Sequence, residues 1–274
     1  MSSVDIKNTF TSVGELNAAV PPSSLVLKLS ITQRSIRYFI QSASHDQIIF
    51  YGDHILHHVE NEAALVQRIE RIFEKDEVLQ LTFGEIFIGI NPPYTLIPSG
   101  FYLPDETLPG ISINQKIDSA GIDIVFNLDS TLFYKLKSLF GKCHIGHLNA
   151  SLLYSLPAYL NETGKLFINI EADQFDVIRF NTDGQLQLMN RYRYQTETDF
   201  AYFLLLCCEE LKVDREQTEL VLAGEVDVQS KIYDMCYRYF RKISFIQPPG
   251  SISFSKAFET FPKHHHFNLY TLNK

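Results

Sequence analysis

The chain has 274 residues, enough for two domains or one large one at roughly 100 to 200 residues per domain. Apolar residues make up 45% of it and charged residues 20%, an ordinary globular balance that excludes wholesale disorder and fibrous architectures. Its 24 Lys and Arg against 32 Asp and Glu give a formal charge of -8, which repels a phosphate backbone unless basic residues gather on one face, so nucleic acid is not expected as a partner.

Residues 1–20 carry Asp5, Lys7 and Glu15 with no central apolar block, so they do not read as a secretory signal. Three short strands are expected next, at 25–31, 36–41 and 47–51, separated by polar turns. The first two alternate, with Leu25, Leu27, Leu29 and Ile31 on one face and Ile36, Tyr38 and Ile40 on another, the period-2 pattern of a half-buried antiparallel meander. Asn61 is an N-cap candidate, and Leu65, Ile69, Ile72 and Phe73 follow at helical spacing, predicting about four turns packed on that sheet. A further strand is expected at 86–90.

Residues 91–110 hold Pro92, Pro93, Pro98, Pro104 and Pro109; proline removes a donor and blocks helix interiors, so this reads as a loop or an extended insertion. Then come a buried strand at 122–128 and a helix capped by Asp129 or Ser130, with Leu132, Phe133, Leu136, Leu139 and Phe140 on one face. A strand at 143–145 and a short helix at 149–156, ending before Pro157, complete the first half. The domain boundary is placed near 159–164, giving domains 1–160 and 161–274.

The same order of elements recurs. Strands are expected at 165–170, 176–180 and 185–189, with Asn181, Thr182, Asp183 and Gly184 turning into the third. A helix opens with the capping-box pattern Thr196-Glu197-Thr198-Asp199 and runs to about Leu211. A strand at 219–222 follows, then a helix from near Ser230 with Ile232, Met235, Cys236, Tyr239 and Phe240 as its apolar stripe. Matching elements lie about 140 residues apart, a spacing that suggests a duplicated β-β-β-α-β fold and not a short-period solenoid. The longest apolar run, residues 200–208, is far below the ~20 residues that a membrane-spanning helix needs, and reads as a buried helix. Cys143, Cys207, Cys208 and Cys236 contain no C-x-x-C pair and fit reduced thiols in a cytoplasmic core.

A β-β-β-α-β unit occurring twice, with extra elements in the first half, resembles the actin-like ATPase superfamily. That resemblance implies an α/β protein of two ribonuclease-H-like domains facing a nucleotide cleft. Val26-Leu27-Lys28-Leu29, Tyr94-Thr95-Leu96-Ile97-Pro98-Ser99, Phe126-Asn127-Leu128 and His147-Leu148-Asn149-Ala150-Ser151-Leu152-Leu153 look like segments of a bacterial family of uncharacterised proteins with this fold. The arrangement is also similar to the pilus-assembly PilM and cell-division FtsA group. The resemblance covers roughly residues 20 to 272 and bears on fold, not on chemistry.

Active members of the superfamily carry a D-x-G-like turn after the first strand of each domain, an acid for magnesium waters and a glycine that lets backbone N–H groups approach phosphates. Here the first turn is Ser30-Ile31-Thr32-Gln33-Arg34-Ser35, with neither acid nor glycine. The second, Glu171-Ala172-Asp173-Gln174-Phe175, keeps acids without glycine, and the adenosine-binding strand end, Leu222-Ala223-Gly224-Glu225, keeps one glycine. If nucleotide binds, the residues expected at the cleft are Thr32, Arg34, Glu171, Asp173 and Gly224. No cofactor is the first expectation, and Mg-ATP is the alternative.

His54 with His57 or His58 would share a helical face as a metal pair, but Asp53, His54, His57 and His58 read first as a polar turn between strand and helix, and no metal site is expected. In an extended strand, His264 and His266 would face together and His265 away. Arg191-Tyr192-Arg193-Tyr194 and Tyr237-Arg238-Tyr239-Phe240-Arg241 interleave cations with aromatics, as single-stranded nucleic-acid grooves do; alternation on a strand and amphipathicity on a helix explain them as packing. No G-x-S-x-G, H-E-x-x-H or P-loop sequence occurs, and no catalytic residue is assigned. The expectation is a non-catalytic cytoplasmic interaction or assembly module, with a nucleotide-binding protein or weak ATPase as the alternative. Its partner would be an unidentified protein or a second copy, and any membrane association would be peripheral, through that partner. Phe101 and Tyr102, in the proline-rich insertion, are the expected partner-binding residues.

Overall fold

The computed structural model describes residues 9–14, 16, 21–44, 46–57, 59–101, 110–159, 165–181 and 183–272. In chain order the first half contains β1 (Thr9–Gly14), β2 (Leu25–Ile31), β3 (Ser35–Ser42), β4 (Gln47–Ile55), α1 (Glu62–Lys75) and β5 (Glu85–Ile90). It continues through β6 (Tyr94–Pro98), β7 (Ile111–Ile117), β8 (Ile122–Leu128), α2 (Ser130–Phe140), β9 (His144–His147) and α3 (Leu148–Tyr159). The second half contains β10 (Leu166–Ile170), β11 (Gln174–Phe180), β12 (Leu186–Arg193), α4 (Glu197–Glu210), β13 (Glu219–Gly224), α5 (Lys231–Tyr239) and β14 (Lys242–Phe245), before β15 (Ser253–Phe254) and α6 (Phe267–Tyr270).

The first sheet runs β1-β4-β3-β2-β5-β9, with β15 also pairing β4, and the second runs β12-β11-β10-β13-β14. In each, the first strand of the meander pairs antiparallel with the second and parallel with the strand that follows the helix: Leu27 sits opposite Ile40 and Ile86, Ile168 opposite Val177 and Leu222. The order third-second-first-fourth is thus the same in both halves, in keeping with the repeated β-β-β-α-β order, and each sheet adds a fifth strand beyond it, β9 in the first and β14 in the second. A small third sheet, β6-β8-β7, is built into the first half.

Local chemistry starts and stops the helices where expected. Asn61 accepts from the Ala64 N–H at 3.0 Å and Asp129 from the Leu132 N–H at 3.0 Å. Thr196 and Asp199 form the reciprocal capping box, which satisfies two of the N–H groups that a helix start leaves open. Ser230 caps α5 through the Tyr233 N–H. On α4 one face is buried, with Phe200, Ala201, Leu204, Cys207 and Cys208, but Tyr202 and Leu206 are exposed, so the apolar run is a surface helix with one dry side.

The meander departs from the half-buried expectation. Leu25, Leu27, Leu29 and Ile31 turn to the same core as Ile36, Tyr38 and Ile40, together with Leu65, Ile69 and Ile72 of α1 and Leu132 and Leu136 of α2. The opposite face is also covered: Phe39, Ile48, Tyr51 and Phe87 pack with Phe258, Leu269, Tyr270 and Leu272. The chain after Gly250 returns to the first sheet, pairing Ser253 with Gln47 and seating the Lys28 ammonium 2.7 Å from the Tyr270 carbonyl. A cut near residue 160 therefore separates the two sheets in sequence, while residues 253–272 lie on the first. Between the halves, Phe267 of α6 meets Phe167 of β10 at 6.2 Å between rings, in the core that also holds Leu152, Leu153 and Leu156 of α3.

Several elements differ from the sequence reading. The proline-rich stretch contains a strand, β6, because Pro98 stands at its last position, where an absent N–H costs the ladder least. Tyr94 and Leu96 pack onto the first core and Ile97 is buried, while Phe101, just beyond, is 67% exposed; Tyr102 lies outside the described residues. Helix α3 runs through Pro157 to Tyr159 instead of ending before it; the proline forfeits a single bond, back to the Leu153 carbonyl in the last turns of the helix. Strands β1, β7 and β14 have no counterpart in the expected elements. All four cysteines are free and buried.

Candidate functional site

The two meander turns face each other across the join between the halves. In the first, the Thr32 hydroxyl accepts from the Arg34 and Ser35 N–H groups at 3.2 and 3.0 Å, and the Thr32 N–H donates to the Ser35 carbonyl at 3.0 Å. A side chain of the turn itself thus takes up N–H groups that a phosphate-binding turn would point at its ligand. In the second, the Glu171 N–H donates to the Gln174 carbonyl at 2.8 Å, and the Tyr194 hydroxyl donates to the Glu171 carbonyl at 2.6 Å.

Between the turns the side chains pair with one another. Arg34 reaches Asp173 at 2.8 Å, and Arg37 of β3 reaches Glu225, just beyond β13, at 2.6 Å while its Nε holds Asp53 at 3.2 Å. Deeper in, Asn91 donates to Glu171 at 3.4 Å and Gln174 donates to its other oxygen at 2.7 Å. Burial and the neighbouring Asp176 carboxylate push the Glu171 carboxyl above the usual range. At the floor, Arg191 grips Asp176 in a bidentate pair at 2.8 and 3.0 Å, and Asn149 donates to Asp176 at 3.3 Å.

His147 closes this floor from the first half. Its Nδ1 accepts from the Asn149 N–H at 3.1 Å, which leaves Nε2–H to donate to the Pro92 carbonyl at 2.9 Å. Burial, with Arg191 nearby and only partly offset by the Pro92 hydrogen bond, holds its pKa at about 4, so the ring is neutral. The rings of Tyr94 and Phe126 pack edge-on against it.

Of the residues expected at the cleft, Thr32, Arg34, Glu171 and Asp173 do come together at the facing turns, and Gly224 ends the adjacent strand. Gly224 has φ +86, and a Cβ there would stand 2.0 Å from the Ile170 carbonyl oxygen. That glycine lets two strand ends close on each other, with the Glu225 N–H donating to Ile170 at 2.7 Å, so its role is packing within the second half. The turns as built do not fit a magnesium nucleotide well: neither carries a glycine, the Thr32, Arg34 and Ser35 N–H groups of the first and the Glu171 N–H of the second are engaged within their own turns, and the exposed Arg34 between them is paired with Asp173. Arg37, Glu225, Asp176, Arg191, His147 and Asn149 were not singled out as site residues from the sequence. The signal for some of them was present, since Tyr94, Phe126, His147 and Asn149 all belong to the segments that carry the family resemblance, and they converge here.

The histidine expectations change. His54 lies on β4, buried, with Nε2 2.7 Å from Asp76, which also accepts from the Tyr38 hydroxyl at 2.7 Å; it is no polar turn. His57 is exposed, and His58 lies outside the described residues. Residues Lys263–His266 form a 3-10 helix and not a strand, so His264 and His265 turn to Asp227 while His266 is buried beside Tyr51, its Nε2 2.9 Å from the Tyr51 hydroxyl. Arg191 and Arg193 lie on β12, where Tyr192 and Tyr194 pack into the second core, so that alternation is sheet packing.

Two sheets of one strand order, facing each other through their meander turns, define the actin-like ATPase fold. Within it, the chain belongs to a family described as "Protein of unknown function (DUF3822)", whose model matches residues 22–243. A Bacteroides thetaiotaomicron protein described as having an actin-like ATPase fold and unknown function is similar at 15% identity and TM-score 0.74, covering 85% of this chain and 94% of that one. The ethanolamine utilization protein EutJ from Carboxydothermus hydrogenoformans is similar at 8% identity and TM-score 0.54, covering 95% and 92%. At these identities the likeness is one of fold. No curated protein matches the sequence.

Proposed function

We propose that this protein is a non-catalytic interaction or assembly module of the cytoplasm, an actin-like body whose cleft is held shut by its own side chains. The observation that carries this reading is the pairing of Arg34 with Asp173 and of Arg37 with Glu225 across the facing turns, where an active relative would seat phosphates. Phe101 and Tyr102 are the proposed contact residues for a protein partner or a second copy; the 67% exposure of Phe101 beside a strand whose other apolar residues are covered supports this. The resemblance to the PilM and FtsA group supports an assembly role in the same way. No helix among the described residues is long and apolar enough to cross a membrane.

A melting scan with millimolar Mg-ATP tests the reading. A ligand at a hundred times its Kd stabilises the native state by about 2.7 kcal/mol; no shift is expected here. A rise of several degrees that disappears in Asp173→Ala would overturn the closed-cleft reading. Replacing Phe101 and Tyr102 together by Ser should weaken complex formation with the melting temperature nearly unchanged.

A further inference from the structure

Where the returning C-terminal segment passes the end of β13, three metal-ligating side chains meet. The ligand atoms of Asp227, His264 and His265 all lie within 4.8 Å of one another. His265 Nε2 is 3.1 Å from Asp227 Oδ1, and His264 Nε2 is 3.8 Å from the same oxygen and 2.7 Å from the Val226 carbonyl oxygen. A tetrahedral ion bound at ~2.0–2.1 Å holds its ligands ~3.3 Å apart, and these separations bracket that value.

The fold prepares the histidines for this. The 3-10 turn at Lys263–His266 sends two consecutive imidazoles toward one carboxylate, which an extended chain would not do. The His264 ring is fixed against Phe245 at 4.2 Å between centroids, and both imidazoles are largely shielded while the carboxylate is 60% exposed, leaving a side open to water.

We propose that Asp227, His264 and His265, with the Val226 carbonyl as a further oxygen donor, bind one divalent first-row transition ion of the zinc class. Two imidazoles with a carboxylate suit that class better than calcium or magnesium, which take oxygen ligands. Binding requires His264 to release its hydrogen bond to Val226, and the fourth position is then taken by the Val226 carbonyl or by water from the open side. The ion links residues 264–265, on the segment that covers the first sheet, to the loop after β13 of the second, two residues from the Glu225 that pairs with Arg37.

Calorimetric titration of the full chain with zinc chloride, after removal of any affinity tag and stripping with EDTA, tests this. One zinc per chain at micromolar affinity or tighter is expected, with a rise in melting temperature when zinc is in excess. Asp227→Asn and His265→Gln should each weaken binding at least tenfold, and His57→Gln should leave it unchanged. Asp227 is exposed, so its variant should keep the metal-free melting temperature. Cobalt in place of zinc should give the visible absorption of a low-coordinate nitrogen and oxygen site, lost in Asp227→Asn. Absence of micromolar binding, or binding that survives both Asp227→Asn and His265→Gln, would overturn the assignment.

Discussion

β4 and β12 occupy the same place in their sheets, third strand of the meander, and meet opposite fates. β4 is flanked by β1 and β15 and is buried along most of its length, with Ile48, Phe50 and Tyr51 all inside. β12 pairs with β11 and, among the described residues, forms the edge of its sheet, with half-exposed and exposed residues throughout. Its sequence suits an edge: Gln187, Asn190, Arg191 and Arg193 interrupt the apolar residues, and charge on an edge strand discourages pairing with another chain. The strand order is shared because the hydrophobic pattern is shared. What each sheet needs beyond that differs: the first relies on chain from the far end of the sequence, and the second on α4, α5 and an ion pair at its inner face.

The comparison breaks most severely at the cover of the first sheet. Phe258 is fully buried against Phe39 and Phe254, and Phe258→Ala should cost about 3–5 kcal/mol in urea unfolding. Tyr237→Ala, on the exposed face of α5 in the second half, should stay within about 0.5 kcal/mol. If Phe258→Ala also stays below about 1 kcal/mol, the C-terminal segment is not part of the first core.

The second half is expected to yield next at Asp176, buried against Arg191. Asp176→Asn leaves that guanidinium without its countercharge and should cost about 3–4 kcal/mol. Replacing both residues with apolar ones of similar size should recover most of the loss, and failure to recover would indicate that Asn149 needs the carboxylate as much as Arg191 does.

A somewhat smaller effect is expected from pH. His147 is neutral in the folded state, with its pKa held at about 4, against roughly 6.5 unfolded. Between those values the unfolded chain binds the extra proton, so the stability from keeping His147 neutral is complete above about pH 7 and is lost as pH falls toward 4. Between pH 7 and pH 4 the loss is about 3 kcal/mol, since the two pKa values lie roughly 2.5 pH units apart and each unit is worth about 1.4 kcal/mol, part of it falling below pH 4. Urea midpoints at pH 7, 5.5 and 4 should fall in the wild type and fall less steeply in His147→Gln, where His266 and His264, whose pKa values burial also lowers, still contribute in the same direction. A wild-type profile already flat across this window would mean that His147 is protonated in place.

The smallest effect should come from the exposed member of the cross-cleft pairs. Arg34 and Asp173 are 61% and 45% exposed, and exposed pairs contribute about 0–1 kcal/mol. Arg34→Ala should therefore leave stability within about 1 kcal/mol. A larger loss would show that the turns are held together here and not chiefly at Arg37 and Arg191.

Periodicity and capping chemistry by themselves determined most of the secondary elements and their duplication. Alternation at residues 25–31 and 36–40, the cap at Asn61 and the box at Thr196 and Asp199 are local signals, carried by residues a few positions apart. The lack of glycine in the two turns, at 32–35 and 171–175, was legible for the same reason. The tertiary structure decided which groups those turns would meet. Glu225 is separated from Arg37, and Asp173 from Arg34, by well over a hundred residues, and no local pattern encodes such a partner. The double cover of the first sheet and the meeting of His264 and His265 with Asp227 have the same origin: residues 253–272 fold back onto strands at the other end of the chain. That return depends on apolar surface on the outer face of the first sheet, at Phe39, Ile48, Tyr51 and Phe87, and on a 3-10 turn that only packing selects.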